Sequence, residues 1–452
     1  MTDLTAGAEP LGRLHHVLAT RHGTPTHEAG TASGGMVLQH REALVYTLSK
    51  AAQLEHLVML QYLYAAFSMK DRDDEGLSPD QLAAVKRWRH TILEIAGQEM
   101  LHLALVENLL TAVGAAPVLG RPNFPLPAHA YPAGIQMALL PFGEVALRHF
   151  AFLERPEDVE MADVDAFAAL EKAAPLPPAD EDAIGPHLQD FDTIGHLYRS
   201  IESGLDHLAG RLGEAGLFIG PPRAQATAEH FQWEELVPVT DLASARRGIE
   251  TIVEQGEGAR GDWRDAHFGR LITILDEFLA ARAADPAFEP ARPVMAVAVR
   301  EPDSGMTMPI ITDGFTNRCM DLLNAVNEVL LQLLARYFAH TDETDEQLAT
   351  LADVAMNLMF SGIKPLGALV TRLPIGPGHP GATAGPGFEL FYAVDYLLPH
   401  RDAAWMVMEE RLRDVADLAM RCRDQCVITY MAPLAKVADA LRAQADRLAA
   451  AR

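Results

Sequence analysis

The segment Gln98-Glu99-Met100-Leu101-His102 lies inside the apolar run Thr91–Val113, where a helix is predicted. Residues three apart share a helix face, so Glu99 and His102 point the same way. They interrupt a stripe that a helix would bury, formed by Trp88, Ile92, Ile95, Leu103, Val106 and Leu110. A buried charge is costly unless it is paired, and an inward Glu-x-x-His pair is how some four-helix bundles hold two metal ions. A surface Glu–His pair or a satisfied core histidine is the alternative.

Two other predicted helices offer a carboxylate on their apolar face. The first, Leu38–Met69, places Glu55 on its stripe, whereas the neighbouring His56 lies about 100° further round and is expected to face away. A second helix of this kind, Thr193–Ala215, carries Glu202 beside its stripe. These residues supply two of the carboxylates that a metal site between helices would need.

The last bundle helix is predicted to be broken. Glu257 follows Val253 by four residues and continues the apolar stripe of the helix Ala243–Glu257, while Glu254 beside it is held in reserve as a ligand. Glycines flank Glu257, and glycine inside a helix costs about 1 kcal/mol, which often marks a break or a close approach at a site. His267 opens the helix that follows the break. It is therefore a candidate second imidazole.

Together these helices supply the ligands of a carboxylate-bridged dimetal site. Oxygen-rich ligation with two imidazoles suits two iron ions, with manganese as the other choice. Two tyrosines, Tyr62 and Tyr198, are predicted near the ligands, either as catalytic groups or as core aromatic residues. Each carboxylate has the alternative of a surface position or an arginine partner. The predicted ligands are Glu55, Glu99, His102, Glu202, Glu254, Glu257 and His267.

Composition excludes several classes of partner. The chain has 452 residues and a formal net charge of −25, which disfavours nucleic acid and anionic membranes. Its first residues, Met-Thr-Asp-Leu-Thr, lack the features of a signal peptide, and no apolar stretch is long enough to span a bilayer. The three cysteines are expected to be free thiols. We therefore predict a cytoplasmic protein without a membrane segment.

The pattern of elements predicts an all-α protein with three parts. Residues 1–36 form an N-terminal arm, residues 37–282 a four-helix bundle with a long crossover insertion, and residues 283–452 an additional C-terminal helical region. The crossover holds a short helix at Phe142–Leu153. In the C-terminal region, long helices are predicted at Asp345–Val370 and Trp405–Ala449. A Gly- and Pro-rich loop between them is either a functional lid or a flexible connector.

Several segments resemble a bacterial ferritin-like family typified by the iminophenylpyruvate dimer synthases and chromopyrrolate synthases of violacein- and rebeccamycin-type bisindole pathways. The resemblance covers about Val37–Ala280 and, more weakly, Asn317–Phe391. It is carried by Leu54-Glu55-His56-Leu57-Val58-Met59-Leu60-Gln61-Tyr62, Glu99-Met100-Leu101-His102, Ile194-Gly195-His196-Leu197-Tyr198 and Glu254-Gln255-Gly256-Glu257-Gly258. It implies a ferritin-like bundle with a metal centre, acting on amino-acid-derived substrates in secondary metabolism.

The residues and the resemblance favour a non-haem di-iron oxidoreductase or oxidative coupling enzyme. Its partners would be a small-molecule substrate and dioxygen or peroxide, and a homodimer is compatible with this. Two alternatives stay open. One is a ferroxidase or iron-binding protein, and the other is a non-catalytic ferritin-like partner in a biosynthetic pathway.

Overall fold

The computed structural model describes residues 36–126, 130–132, 135–164, 185–258, 262–296, 310–391 and 400–452. Within these ranges the chain is helical and forms isolated β-bridges but no sheet, which confirms the predicted all-α class. None of the described helices is long and apolar enough to cross a membrane. Residues Met36–Arg452 form one compact unit. Of the predicted arm, only Met36 is described, and the predicted boundary near residue 282 stays a prediction.

The longer helices are numbered here in chain order. They are α1 (Arg41–Ser68), α2 (Pro79–Ala112), α3 (Glu144–Leu153), α4 (Ile194–Leu212), α5 (Leu242–Gly256), α6 (His267–Ala284), α7 (Gly314–Phe338), α8 (Asp345–Leu358), α9 (Lys364–Val370), α10 (Arg401–Gln425) and α11 (Ile428–Ala451).

Helix α1 is the central element of the fold. Every residue from Leu54 to Ser68 is buried, so this half of the helix is covered on all sides. On one side it packs against α2 and α4 of the bundle, and on the other it meets α9. A Cβ on Gly367 of α9 would lie 2.6 Å from the Phe67 ring, so the two helices approach closely where residue 367 is glycine.

Helix α2 begins at a complete capping box. The Ser78 side chain accepts from the backbone N–H of Gln81, the Gln81 side chain accepts from the Ser78 N–H, and Pro79 occupies the first turn. Burial along α2 then increases towards its C-terminus, where Leu101–Ala112 is buried throughout. This buried half carries Glu99 and His102 into the bundle.

Helices α4 and α5 complete the four-helix bundle, since they pack against each other and against α1 and α2 respectively. The predicted break after α5 is confirmed. Gly258 has a φ of +93°, and a Cβ there would lie 2.6 Å from the Cα of Trp263, so the chain needs glycine at this turn. Helix α6 restarts at His267 and packs against α3 and α2.

The crossover between α2 and α4 contains α3, close to the predicted helix Phe142–Leu153. Helix α3 packs mainly on α6 rather than lying outside the bundle. The polar connector predicted within this crossover, at Leu176–Ala183, lies outside the described residues. Helix α3 is therefore part of the core, and it ends beside the interior of the bundle.

The C-terminal region differs from the prediction in two places. The predicted helix Asp345–Val370 contains a π-helical turn at Met359–Ile363 between α8 and α9. The prediction of a single helix over Trp405–Ala449 is wrong, because Cys426 and Val427 are extended and separate α10 from α11. The break lets these two helices pack side by side and bury their apolar faces against each other.

The Gly- and Pro-rich loop at residues 373–387 is ordered. Its Ile375 carbonyl accepts hydrogen bonds from the backbone N–H groups of Thr312 and Asp313, at 2.9 and 3.1 Å. A Cβ on Gly385 would lie 2.2 Å from the Tyr64 hydroxyl, so the loop lies directly on α1. A role as a lid stays a prediction.

The Asn108 side chain on α2 is hydrogen-bonded to the segment before α5, and replacing it tests how much these hydrogen bonds stabilise the fold. Its buried side chain accepts from Ala226 N–H at 2.6 Å and donates to the carbonyls of Ala226 and Val237, at 2.9 and 3.2 Å. We expect Asn108→Ala to lower the free energy of unfolding by about 1–3 kcal/mol, because it leaves buried backbone groups unpaired. Chemical denaturation measures the change.

The matched control is Asn357→Ala on α8, where the amide donates to Asp353 of its own helix. That change should cost less than about 0.5 kcal/mol. Equal losses from the two alanine variants would contradict the proposed role of Asn108.

Candidate metal centre

The bundle interior contains two groups of metal-ligand type that share one carboxylate. Glu99 belongs to both: Glu55 and His102 complete one group, and Glu154 and His267 complete the other. Within each group the candidate ligand atoms lie within 4.8 Å of one another. All five side chains are buried. Glu99 is thus the side chain common to two groups, each of which could hold a cation.

The first group joins α1 to α2. His102 Nδ1 lies 3.2 Å from a Glu99 oxygen and 3.6 Å from a Glu55 oxygen. The Tyr198 hydroxyl of α4 donates a hydrogen bond to Glu55. On the far side of the imidazole, His102 Nε2 is 3.0 Å from the side-chain oxygen of Gln255. A ring N–H donated to that oxygen leaves Nδ1 free to bind an ion.

The second group repeats this pattern with other elements. His267 Nδ1 lies 2.9 Å from a Glu99 oxygen and 3.7 Å from a Glu154 oxygen. The Tyr62 hydroxyl donates to Glu154, as Tyr198 does to Glu55. His267 Nε2 is 3.2 Å from the side-chain oxygen of Gln98. The two imidazoles stack with ring centroids 5.4 Å apart, so both Nδ1 atoms face the shared carboxylate.

Burial and mutual attraction set the charges of the cluster. Burial raises the pKa of Glu55 to about 8. Burial would also raise the pKa of Glu99, but the attraction of His102 and His267 outweighs it and lowers that pKa. The pKa of His102 rises to about 10 although burial alone would lower it, because Glu99 and Glu55 stabilise the imidazolium. Cations entering the cluster would displace these imidazole protons.

The donor atoms fit a pair of metal ions. Glu99 Oε1 and His267 Nδ1 form an ion pair at 2.9 Å, but neither atom makes a hydrogen bond of normal geometry. Buried polar atoms are almost always paired, and a bound cation would satisfy both of these atoms. Three carboxylates and two imidazoles form an oxygen-rich set of the kind that suits iron or manganese.

Three predicted ligands lie away from this cluster. The Glu202 side chain is 38% exposed and pairs with Arg246, and Glu254 is exposed on α5. Glu257 is buried, but its carboxylate accepts from Gly195 N–H at 2.9 Å and pairs with Arg199 at 3.2 Å. An arginine and a backbone N–H thus satisfy the charge of Glu257 without a metal.

Glu154 is the cluster residue that the sequence analysis missed. It caps the C-terminus of α3, inside a crossover that was interpreted as a connection between bundle helices. A signal was present, because Glu154 follows Phe150 by four residues and Leu147 by seven, and so continues the apolar stripe of α3. A Cβ on Gly256 would lie 3.3 Å from Glu154 Oε2, so the end of α5 passes close to this carboxylate.

An open cleft of about 410 Å³ lies over the two imidazoles. Gln98 and Gln255, which contact His267 and His102, line it together with Arg270 and Trp233. Arg270 donates to Gln98 at 3.0 Å and to Glu94 at 2.6 Å. The cleft brings solvent as far as the two glutamines that contact the buried imidazoles, and it places a guanidinium group beside them.

Comparison with known proteins places this site in context. A family model described as ferritin-like matches residues 48–276. The chain is 27% identical over 431 residues to dichlorochromopyrrolate synthase from Lentzea aerocolonigenes, covering 88% of this chain and 41% of that protein. It is 30% identical over 392 residues to 2-imino-3-(indol-3-yl)propanoate dimerase from Chromobacterium violaceum, covering 82% of this chain and 36% of that protein.

The chain therefore spans about two fifths of the length of these curated relatives. A crystal structure of a ferritin-like protein from Caulobacter vibrioides is also similar, with 18% identity and a TM-score of 0.46. The similarity covers 76% of this chain and 96% of that one.

Metal analysis of matched glutamine variants tests the cluster. After anaerobic loading with Fe(II), we expect about two ions per chain in the wild type. Glu154→Gln should lose about one ion, because an amide is a weaker ligand, and Glu99→Ala combined with His102→Ala should lose both. Elemental analysis of the desalted protein gives the stoichiometry.

Glu257→Gln and Glu202→Gln are the controls and should keep the wild-type metal content. If Glu257→Gln loses an ion while Glu154→Gln keeps both, Glu257 is a ligand, as the sequence predicts, and Glu154 is not.

Proposed function

Because this chain belongs to the ferritin-like family, we propose that it is an enzyme of secondary metabolism that oxidises a small amino-acid-derived molecule at a di-iron centre. The observation that carries the proposal is the pair of buried Glu/His groups sharing Glu99. The proposed ligands are Glu55, Glu99, His102, Glu154 and His267, so Glu154 replaces Glu202, Glu254 and Glu257 of the sequence prediction.

Bound iron would supply one-electron redox chemistry and a position for dioxygen or peroxide. The chain supplies the surroundings. Tyr198 and Tyr62 hold the outer carboxylates through their hydroxyl groups, and burial is the largest cause that keeps the pKa of both tyrosines well above its usual range. These hydroxyls therefore stay protonated and act as hydrogen-bond donors. Gln255 and Gln98 fix the orientation of the two imidazoles.

The cleft over the imidazoles supports an organic substrate. It is open to solvent above the glutamines that contact His102 and His267, and the Arg270 guanidinium, which also pairs with Glu94, offers a partner for a carboxylate. The two curated relatives are named for chromopyrrolate synthesis and for dimerising an indolyl imino acid. An aromatic imino acid is therefore the substrate class we propose. Manganese in place of iron is the alternative for the metal.

A ferroxidase would also use two buried Glu/His groups, so the substrate must be tested directly. We expect the iron-loaded protein to take up oxygen when 2-imino-3-(indol-3-yl)propanoate is formed in situ from indole-3-pyruvate and ammonium. Oxygen uptake should fall to the non-enzymatic background in the Glu99→Ala, His102→Ala double variant, since that variant lacks the shared carboxylate. An oxygen electrode and chromatography of the products measure both sides of the reaction.

The outcomes separate the three functions. Oxygen uptake that follows added Fe(II) and leaves the imino acid unchanged would identify a ferroxidase. Full iron loading, without oxygen uptake after addition of either Fe(II) or the imino acid, would indicate a non-catalytic partner protein and would refute the proposed oxidation.

A further inference from the structure

A second cavity, of about 240 Å³, lies on a different face of α1 from the Glu/His cluster. Successive helix residues point about 100° apart, and Glu55 faces the cluster whereas His56 lines this cavity. None of the five cluster residues is among the described residues that line it. The cavity is enclosed by α1 and α2 on the bundle side and by α7, α8 and the π-helical turn on the C-terminal side.

The wall of the cavity is apolar and in part aromatic. Its residues include Met59, Leu63, Leu103, Leu331, Phe338 and Phe388. An engineered apolar cavity of about 150 Å³ holds a benzene molecule, so the present volume suits a molecule of two fused rings. Most small-molecule sites combine such a wall with a few placed polar groups.

Two buried polar atoms in this wall have no hydrogen-bond partner. They are His56 Nδ1 and Asn327 Nδ2, on side chains that are 2% and 5% exposed. A neutral imidazole has one ring nitrogen that donates an N–H and one that accepts. His56 can therefore accept a hydrogen bond from a ligand, and the Asn327 amide can donate one.

The charges along the wall favour an uncharged ligand. Apart from His56, the ionisable groups among the described lining residues are Glu107 and Lys364. Glu107 is buried, accepts from the Val118 N–H, and burial raises its pKa to about 8. Lys364 is exposed. None of the described lining residues thus offers a carboxylate a buried cation, and the buried Arg121 near His56 is hydrogen-bonded to the Phe388 and Pro122 carbonyls.

The π-helical turn forms the entrance. Met359, Phe360 and Ile363 of this turn line the cavity, and the Phe360 side chain is 66% exposed, so it stands where the cavity opens to solvent. Single π-helical turns inside α-helices often occur at functional sites, because the extra residue redirects side chains. Here the turn directs a large aromatic ring to the mouth of the cavity.

We propose that this cavity is a second small-molecule site, which binds an uncharged two-ring aromatic molecule through a hydroxyl or N–H group donated to His56 Nδ1. Where that group is a hydroxyl, its oxygen can also accept a hydrogen bond from the Asn327 amide. The proposal is independent of the metal cluster, because no cluster residue takes part in binding.

Calorimetric titration of the full chain with two probes tests the site. The first probe, 2-naphthol, has the donor that His56 requires, and the second, 2-methoxynaphthalene, has the same rings without it. We expect one 2-naphthol per chain and binding of 2-methoxynaphthalene that is roughly 2- to 10-fold weaker, the usual worth of one hydrogen bond. In His56→Leu the two probes should bind equally.

Two variants that fill the cavity locate the ligand. A Cβ on Gly97 of α2 meets open space, so Gly97→Leu extends into the cavity, and Gly210→Leu, also in open space but on α4, is the matched control. Gly97 also lines the cleft over the imidazoles, whereas Ala104 lines the cavity without lining the cleft. We expect both Gly97→Leu and Ala104→Phe to weaken 2-naphthol binding by about tenfold or more, and Gly210→Leu to leave it unchanged.

Three results would overturn the proposal. One is the absence of saturable binding to the wild type up to the solubility of 2-naphthol. The second is a loss in Gly97→Leu without a loss in Ala104→Phe, which places the ligand in the cleft. The third is an unchanged preference for 2-naphthol in a His56→Leu protein with a wild-type circular dichroism spectrum.

Discussion

The structure depends on the Glu99 carboxylate, which lies between two buried imidazoles at 3.2 and 2.9 Å. A carboxylate in this position is tolerable only when positive charge faces it, because the interior of the bundle excludes water. This charge comes from two parts of the chain. His102 lies on the same helix as Glu99, whereas His267 begins α6, after the break that follows α5.

Around this carboxylate the surroundings are arranged in two similar halves. Each half has an imidazole, an outer carboxylate, a tyrosine that donates to that carboxylate, and a glutamine on the far side of the imidazole. The halves are not related by sequence, since one outer carboxylate comes from α1 and the other from the end of α3. The similarity is therefore a property of the site, imposed by what two adjacent cations would require of their ligands.

Helix α1 contributes both to the Glu/His cluster and to the apolar cavity. Its Glu55 belongs to the charged cluster, and its next residue, His56, lines the apolar cavity under the C-terminal helices. Because every residue from Leu54 to Ser68 is buried, both faces of the helix must be covered. The C-terminal region supplies the second cover through α9, with α7 and α8 across the apolar cavity. The buried face of α1 therefore needs the C-terminal region as a cover, independently of any role of that region in chemistry.

Local spacing was enough to predict the helices, the all-α class, and the inward positions of Glu55, Glu99 and His102, because residues three and four apart share a helix face in any tertiary context. Spacing also predicted the break before His267. Spacing could not show that Glu154 lies in the Glu/His cluster or that Glu257 lies outside it, because each residue continues an apolar stripe equally well. Tertiary packing alone decided between them: α3 folds back onto α6 and delivers Glu154 to the cluster, whereas Arg199 and the Gly195 N–H neutralise Glu257.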